Sequence, residues 1–369
     1  MSGEPSTIAL QGLLPPALVL ACKGALEPAE ARKIVSRVHR DLGIHGAFSG
    51  VRRGALASVR AAFHIPTLEI VSAQASAVDP FQKLVFRAAD GNLFETVRIP
   101  LEKAGRFSVC VSSQVGCALA CSFCATGRLG LRRNLETWEI VEQVRAVRRT
   151  LAEGQRVHGV VFQGMGEPLA NLDRVLEAIG VLCDPSAQAI DARNITVCTA
   201  GLPSGIRRLA KEAPRVRLGL SIGSARRELR PSLMPIDRTH GLDDVLEAAV
   251  EHARATGYSP MWAVTLLEGV NDTEADALAL AALAKKFAES TGGIRPRISV
   301  IPYNALGVSD DPYLRSADDR EEAFRASMRE AGVGTHKRYS GGGDMAAACG
   351  QLASAIARPA KTPKLGSLS

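Results

Sequence analysis

The chain has 369 residues, 46% of them hydrophobic, and carries a formal net charge of +7. That length supports one sizeable core with a smaller appendage. It excludes a small disulfide-stapled domain, and no apolar run is long enough to span a bilayer, so no membrane partner is expected.

The first hundred residues differ from the rest. The longest apolar stretch, LLPPALVLAC, is broken by Pro15 and Pro16 and followed by Lys23. The segment EPAEARKIVSRVHRDLG reads as a helix, and LEIVSAQA, QKLVFRAA and LFETVRIP alternate as strands do. Residues 1–100 are therefore expected to form a small N-terminal accessory domain, a helical cap leading into a small sheet. Its basic residues cluster at Arg32, Lys33, Arg37 and Arg40, then Arg52, Arg53 and Arg60. Such a face suits a phosphate backbone, and a solvated helix face explains it equally well.

From about Arg106 a strand and helix alternation repeats six times. The strands are FSVCVSSQ, HGVVFQG, NITVCTAG, RVRLGLSIG, SPMWAVTLLEG and RPRISVIPYN. In the first helical stretch, Trp138, Val141, Val144, Val147 and Leu151 recur near a 3.6 period, as one buried face requires. Six such units with β-branched strands predict an α/β fold, a parallel sheet curved as a partial (β/α) barrel, over residues 101–340. Residues 341–369 are expected to form a C-terminal segment ending in the basic tail ARPAKTPKLGSLS, whose composition predicts disorder.

Just past the first strand, in VGCALACSFCATG, stand Cys117, Cys121 and Cys124, spaced C-x3-C-x2-C. Three thiolates hold three irons of a [4Fe-4S] cluster and leave the fourth iron open to bind and reduce S-adenosylmethionine (SAM). Structural zinc would need a fourth protein ligand, and no second C-x2-C pair exists here. The absence of a signal peptide and the scatter of Cys22, Cys110, Cys183, Cys198 and Cys349 argue for a reducing, cytoplasmic compartment.

In barrels of this type chemistry sits at the C-terminal ends of the strands. There stand Gly164, Gly166 and Glu167 in FQGMGEP, Cys198 in CTAG, Ser221, Ile222 and Gly223 in SIG, and Asn304 in IPYN. A backbone edge with Glu167 suits the amino group of SAM, and the small polar groups suit its ribose and carboxylate, although each singly also serves as a turn or helix cap. Cys349 follows the run Gly341, Gly342, Gly343. A helix is expected to begin there, placing its thiol near a helix N-terminus that favours thiolate.

Taken together, VSSQVGCALACSFCATG, GMGEPLAN, LMPID, EGVND, IPYN and ACGQLA resemble the RlmN and Cfr family of radical-SAM RNA methyltransferases, in order and spacing, from about Phe81 to Ala353. The resemblance implies a mechanism. One SAM methylates Cys349, and a second, cleaved at the cluster, yields a radical that takes hydrogen from that methyl group. The carbon then adds to C2 or C8 of an adenine in ribosomal or transfer RNA. Cys110 matches the thiol that releases the product through a transient disulfide, and Glu95 matches the proton acceptor. The SAM contacts carried over are Gly166, Glu167, Cys198, Ser221, Ile222, Gly223 and Asn304. Flavodoxin or ferredoxin is the expected electron donor, and the protein is expected to be a monomer. The family usually has serine where Cys198 stands, histidine where Gly223 stands, and an arginine where YSGGGD has glycine. Rival readings are a radical-SAM enzyme acting on a peptide or small molecule, and a non-catalytic RNA-binding protein with a structural metal.

Overall fold

The computed structural model describes residues 8–352; the tail 357–369 lies outside them. Strand β1 (Ile8–Ala9) pairs in parallel with β2 (Phe63–His64), closing off three helices, α1 (Pro15–Ala21), α2 (Pro28–His39) and α3 (Arg53–Ala62). Helices α1 and α2 begin on proline, which lacks the N–H that the first helical turn leaves unpaired. In α2, Glu27 and Glu30 cap each other's backbone. Leu18, Ile34, Val38, Leu56 and Val59 meet beneath as a core of their own.

A ten-stranded sheet follows. Strands β3 (Glu69–Ala75), β4 (Gln82–Arg87), β5 (Leu93–Pro100) and β6 (Arg106–Cys110) run antiparallel. Beyond β6 a hairpin of β7 (Gln114–Gly116) and β8 (Leu131–Asn134), with the short helix α4 (Ala125–Arg128) between them, precedes α5 (Thr137–Arg149). The parallel half continues through β9 (Arg156–Phe162), α6 (Leu172–Cys183), β10 (Ile195–Thr199), α7 (Pro203–Glu212), β11 (Arg217–Ser221), α8 (Arg230–Leu233) and α9 (Leu242–Thr256). It ends with β12 (Met261–Leu266), α10 (Glu274–Thr291), β13 (Arg297–Pro302), α11 (Asp318–Glu330) and β14 (Thr335–Lys337). Strand order is β14-β13-β12-β11-β10-β9-β6-β5-β4-β3. The six strands read from the sequence are all present and parallel, with β14 added at one edge.

Two consequences position the site. First, residue 100 ends a strand whose neighbour is β6: Val97 pairs with Cys110, so the small sheet extends the barrel sheet without a linker. Second, every parallel strand delivers its C-terminal end to the same rim. Val160, Val197, Leu218, Trp262 and Ile298 are buried along the strands, and Ile140, Val141, Val144 and Val147 of α5 are fully buried in the same core. Among the described residues no helix is long and apolar enough to cross a membrane.

Candidate active site

The cysteine loop is tied at its base. Gly116 adopts φ +75° where any side chain would strike the carbonyl of Gly130, so glycine lets β7 and β8 close. The N–H of Cys117 donates to Gly130 O at 3.1 Å, and that of Cys124 to Cys121 O at 3.2 Å. Ser122 N–H reaches Leu233 O at 3.0 Å, and its hydroxyl lies 2.7 Å from the Tyr313 hydroxyl. Cys117, Cys121 and Cys124 open on one cavity. Burial pushes the Cys117 thiol up to about 12 and raises Cys121 and Cys124 as well. Thiolates here therefore need a cation to balance them, as an iron–sulfur cluster supplies. Among the described residues no group of three His, Cys, Asp or Glu side chains is arranged to hold one metal ion. Three thiols lining one cavity are a donor set that would suit an iron–sulfur cluster.

Opposite the cysteines the same cavity is lined by Gly166, Glu167, Cys198, Ser221 and Gly223, as expected, and by Thr265 and Ala263 of β12. Gly166 has φ +96°, and a Cβ there would lie 2.5 Å from the Gln114 side chain, so the strand-end loop lies directly on the root of the cysteine loop. Glu167 is 3% exposed. Its carboxylate accepts from Leu169 N–H at 3.0 Å and Ala200 N–H at 2.9 Å, while its own N–H donates to Gln114 Oε1 at 2.8 Å. Desolvation raises this carboxyl to about 7 against those backbone bonds. Gly223 has φ +68°, with Met234 Sδ 2.5 Å from where a Cβ would stand. Methionine thus occupies the space a side chain at 223 would use.

Two expected contacts lie elsewhere. Ile222 is buried in the core; its N–H bonds Ala263 O at 2.9 Å and its carbonyl accepts Arg230 Nε at 2.9 Å. Asn304 donates to Ser340 Oγ at 2.9 Å and to the Cys349 carbonyl at 3.1 Å, holding the C-terminal segment.

A second cavity abuts the first, sharing Cys124, Gln163, Gly164, Cys349 and Gly350 with it. Cys110 and Val97 line its far side. Both Cys110 and Cys349 are free thiols, and burial raises Cys110. Glu95 is fully buried on β5, its Oε1 3.8 Å from Lys83 Nζ, and lines neither cavity. Lys83 Nζ also donates to Ala346 O at 3.2 Å.

The helix expected at Cys349 is absent among the described residues. Gly343–Met345 makes one 3-10 turn and Ala346 turns to φ +51°. The carbonyls a helix would use internally are taken by tertiary partners: Ala346 O by Lys83, Cys349 O by Asn304, and Gly350 O by Ala125 N–H at 2.8 Å. Among the described residues Cys349 does not stand in the first turn of a helix. Arg338 escaped the sequence reading. It lines the second cavity, donates to Gln163 Oε1 at 2.9 Å and is held more basic chiefly by the Cys349 thiol, with Cys198 and Cys110 contributing. The glycine standing where arginine was expected, Gly341, has Phe81 Cε2 and Asp79 Oδ2 where a Cβ would go.

A parallel half-barrel that brings three thiols and a buried carboxylate to one cavity accommodates radical SAM chemistry. The sequence pattern of the radical SAM superfamily matches residues 111–282. A probable RNA methyltransferase of Sorangium cellulosum (strain So ce56) is 60% identical over 363 residues, covering 92% of this chain and 91% of that one. The dual-specificity RNA methyltransferase RlmN of Syntrophobacter fumaroxidans (strain DSM 10017 / MPOB) is 42% identical over 274 residues, covering 74% and 77%. A crystal structure of a radical SAM methyltransferase from Sphaerobacter thermophilus superposes with a TM-score of 0.84 at 32% identity, covering 94% of this chain and 99% of that one. The chain belongs to the RlmN-type radical SAM RNA methyltransferases. It is a SAM-dependent enzyme of RNA, and its family implies an iron–sulfur cluster.

Proposed function

We propose that this enzyme methylates an adenine carbon, C2 or C8, in ribosomal or transfer RNA, with Cys349 as the carrier of the methyl carbon. The observation that carries this reading is that Cys349 lines both cavities, the one with Cys117, Cys121, Cys124 and Glu167, and the one with Cys110. One sulfur can thus receive a methyl group on one side and present it on the other. The relatives' names supply the substrate class; RlmN of Syntrophobacter is called dual-specificity.

Cys117, Cys121 and Cys124 would hold a [4Fe-4S] cluster, which when bound supplies the electron that splits SAM. Glu167 receives the SAM amino group, beside Gly166, Cys198, Ser221 and Gly223. Ile222 and Asn304 serve the SAM site indirectly, Ile222 by carrying the rim through the core and Asn304 by seating Cys349. The resemblance assigns Glu95 the proton of the substrate carbon, which would leave once the Cys349-bound carbon has joined the base and the odd electron has gone back to the centre that lent it; the carboxylate itself is fully buried beside Lys83 and lines neither cavity. Cys110 sulfur then attacks Cys349 sulfur. The S–C bond breaks toward carbon, which takes up a proton to become methyl, and the Cys110–Cys349 disulfide must be reduced by an external thiol before the next turnover. Two SAM molecules are consumed. The reading places the protein in the cytoplasm as a monomer, with flavodoxin or ferredoxin as donor, residues 1–100 as an RNA-contacting unit, 101–340 as the radical core and 341–369 as the carrier segment.

The test is Cys110→Ala protein purified anaerobically from cells, digested with nuclease and analysed by mass spectrometry of the Cys349 peptide. A methylene-linked adenosine on Cys349 is expected. Unmodified Cys349 in iron-loaded protein would overturn the carrier role.

A further inference from the structure

At the opposite end of the barrel, where the strands begin, lies a cavity of about 760 Å³ that no step of the reaction uses. Its charged walls are Arg148 from the last turn of α5, Arg156 and His158 of β9, Arg193, and Arg217 at the start of β11. Asp191 is the one carboxylate on the wall, and it is already taken by Arg193 at 2.6 Å and Arg215 at 3.3 Å. Arg156 and Arg217 have no ion-pair partner among the described residues. Arg148 spends one nitrogen on Gln188 Oε1 at 2.7 Å. His158 is held below its ordinary value first by desolvation, then by Arg106 and Arg156, with Asp191 opposing.

A second basic groove, with no lining residue in common with this basin, lies along α2. Arg32, Lys33, Arg37 and Arg40 of α2 and its C-cap line it with Phe48, on whose ring the Arg37 guanidinium rests at 4.5 Å from the centroid. Arg40 lies near enough to Arg148 for the two charges to oppose each other. The intervening carboxylate, Asp41, is engaged by Arg145 at 2.6 Å and Arg149 at 2.7 Å. Arg32 and Arg40, like Arg156 and Arg217, form no ion pair among the described residues.

We propose that the α2 edge and the barrel-bottom basin form one track for the phosphodiester backbone of the RNA, remote from the nucleotide that reacts. The proposal rests on the reading of RNA as substrate and adds where that RNA is gripped. A run of cations spaced over two grooves fits a chain of phosphates, whereas a free nucleotide would fill the basin and leave α2 unused. Strands of five to seven residues separate the basin from the reacting rim, about 20 Å at ~3.3 Å per residue, a span that a folded RNA exceeds easily.

The experiment uses the full-length, iron-loaded protein with fluorescein-labelled unfractionated bacterial tRNA and deproteinised 23S ribosomal RNA as probes, and ADP as competitor. Two double variants are compared with the wild type, Arg156→Gln with Arg217→Gln, and Arg32→Gln with Arg40→Gln. Each should weaken RNA binding about 10-fold near 0.1 M salt and lower the slope of log affinity against log salt by about 1.5, as loss of two phosphate contacts requires. Methylation of Cys349 by SAM should be unchanged, and thermal unfolding of the variants should match the wild type. An unchanged salt slope in the Arg156 and Arg217 variant overturns the track. ADP displacing RNA from the wild type but not from that variant makes the basin a small-anion site and also overturns it. Wild-type protein that binds neither RNA, with Cys349 still methylated, would instead overturn the substrate reading itself, and the track with it.

Discussion

The side-chain amide of Asn304, at the end of β13, donates to the backbone carbonyl of Cys349 at 3.1 Å and to Ser340 Oγ at 2.9 Å. One residue thus clamps the backbone of Cys349, the proposed carrier, to the barrel rim. Asn304→Ala should slow methylation of Cys349 about 10-fold, since a lost bond of about 1–2 kcal/mol lets the sulfur drift from its approach line. Asn304→Asp, the same shape without a donor, should be at least as slow. A mass-spectrometric time course with SAM reads both; rates equal to wild type would show that Asn304 does not position the thiol.

Glu167 presents two oxygens to two backbone N–H groups. In Glu167→Gln one N–H must face an NH2 group, which costs about 1–3 kcal/mol, and the charge for the SAM ammonium is gone. SAM affinity by calorimetry should fall at least 10-fold. Equal affinity would move the amino-group contact elsewhere.

Gly341 is seated against Phe81 and Asp79. Restoring an arginine there, Gly341→Arg, should destabilise the protein by about 1–3 kcal/mol through overpacking, and the loss should shrink on a Phe81→Ala background. A double-mutant cycle by urea unfolding measures it. Strictly additive costs would mean that Phe81 is not what excludes the side chain.

His39 is 3% exposed, and Gln188 Nε2 lies 2.9 Å from its Nδ1 across the contact between α2 and the barrel. Burial first, then Arg145 and Arg148, hold it down to about 3 from 6.5. The folded chain therefore keeps it neutral while the unfolded chain takes a proton below 6.5. Its contribution to stability is full above 6.5 and is lost as pH falls toward 3, by at most about 1.4 kcal/mol per unit. His252, held down to about 4 by burial, acts in the same sense. Unfolding at pH 7 and pH 5 should show a shallower pH dependence for His39→Asn than for wild type; identical slopes would sink the assignment.

The six parallel strands and their helices could be read because strands buried on both faces are mostly apolar, with Val and Ile frequent in β9, β10 and β13, and α5 repeats its apolar face every turn. The cysteine spacing and the strand-end glycines are local signals, so they too were readable. Strand β14 was not: Thr335–Lys337 is three polar residues with no pattern, made a strand only by its neighbour β13. Arg338, one residue on, was hidden for the same reason, its meaning arising only where the chain folds back over Cys110 and Cys349. The helix expected at Cys349, after the run Gly341 to Gly343, was a local reading, and capture of three carbonyls by Lys83, Asn304 and Ala125 overrides it.

The seat of the segment that holds Cys349 is built from the early chain. Asp344 accepts from Ala77 N–H, 267 residues away in sequence, and Phe81, Asp79 and Lys83 complete the contact. At roughly 5–20 residues per second of synthesis, that seat waits roughly 13–53 s for its occupant. Cys349 is therefore the last of the cavity's cysteines to be made, and a nascent chain can bring Cys117, Cys121 and Cys124 together well before the thiol proposed to move carbon exists.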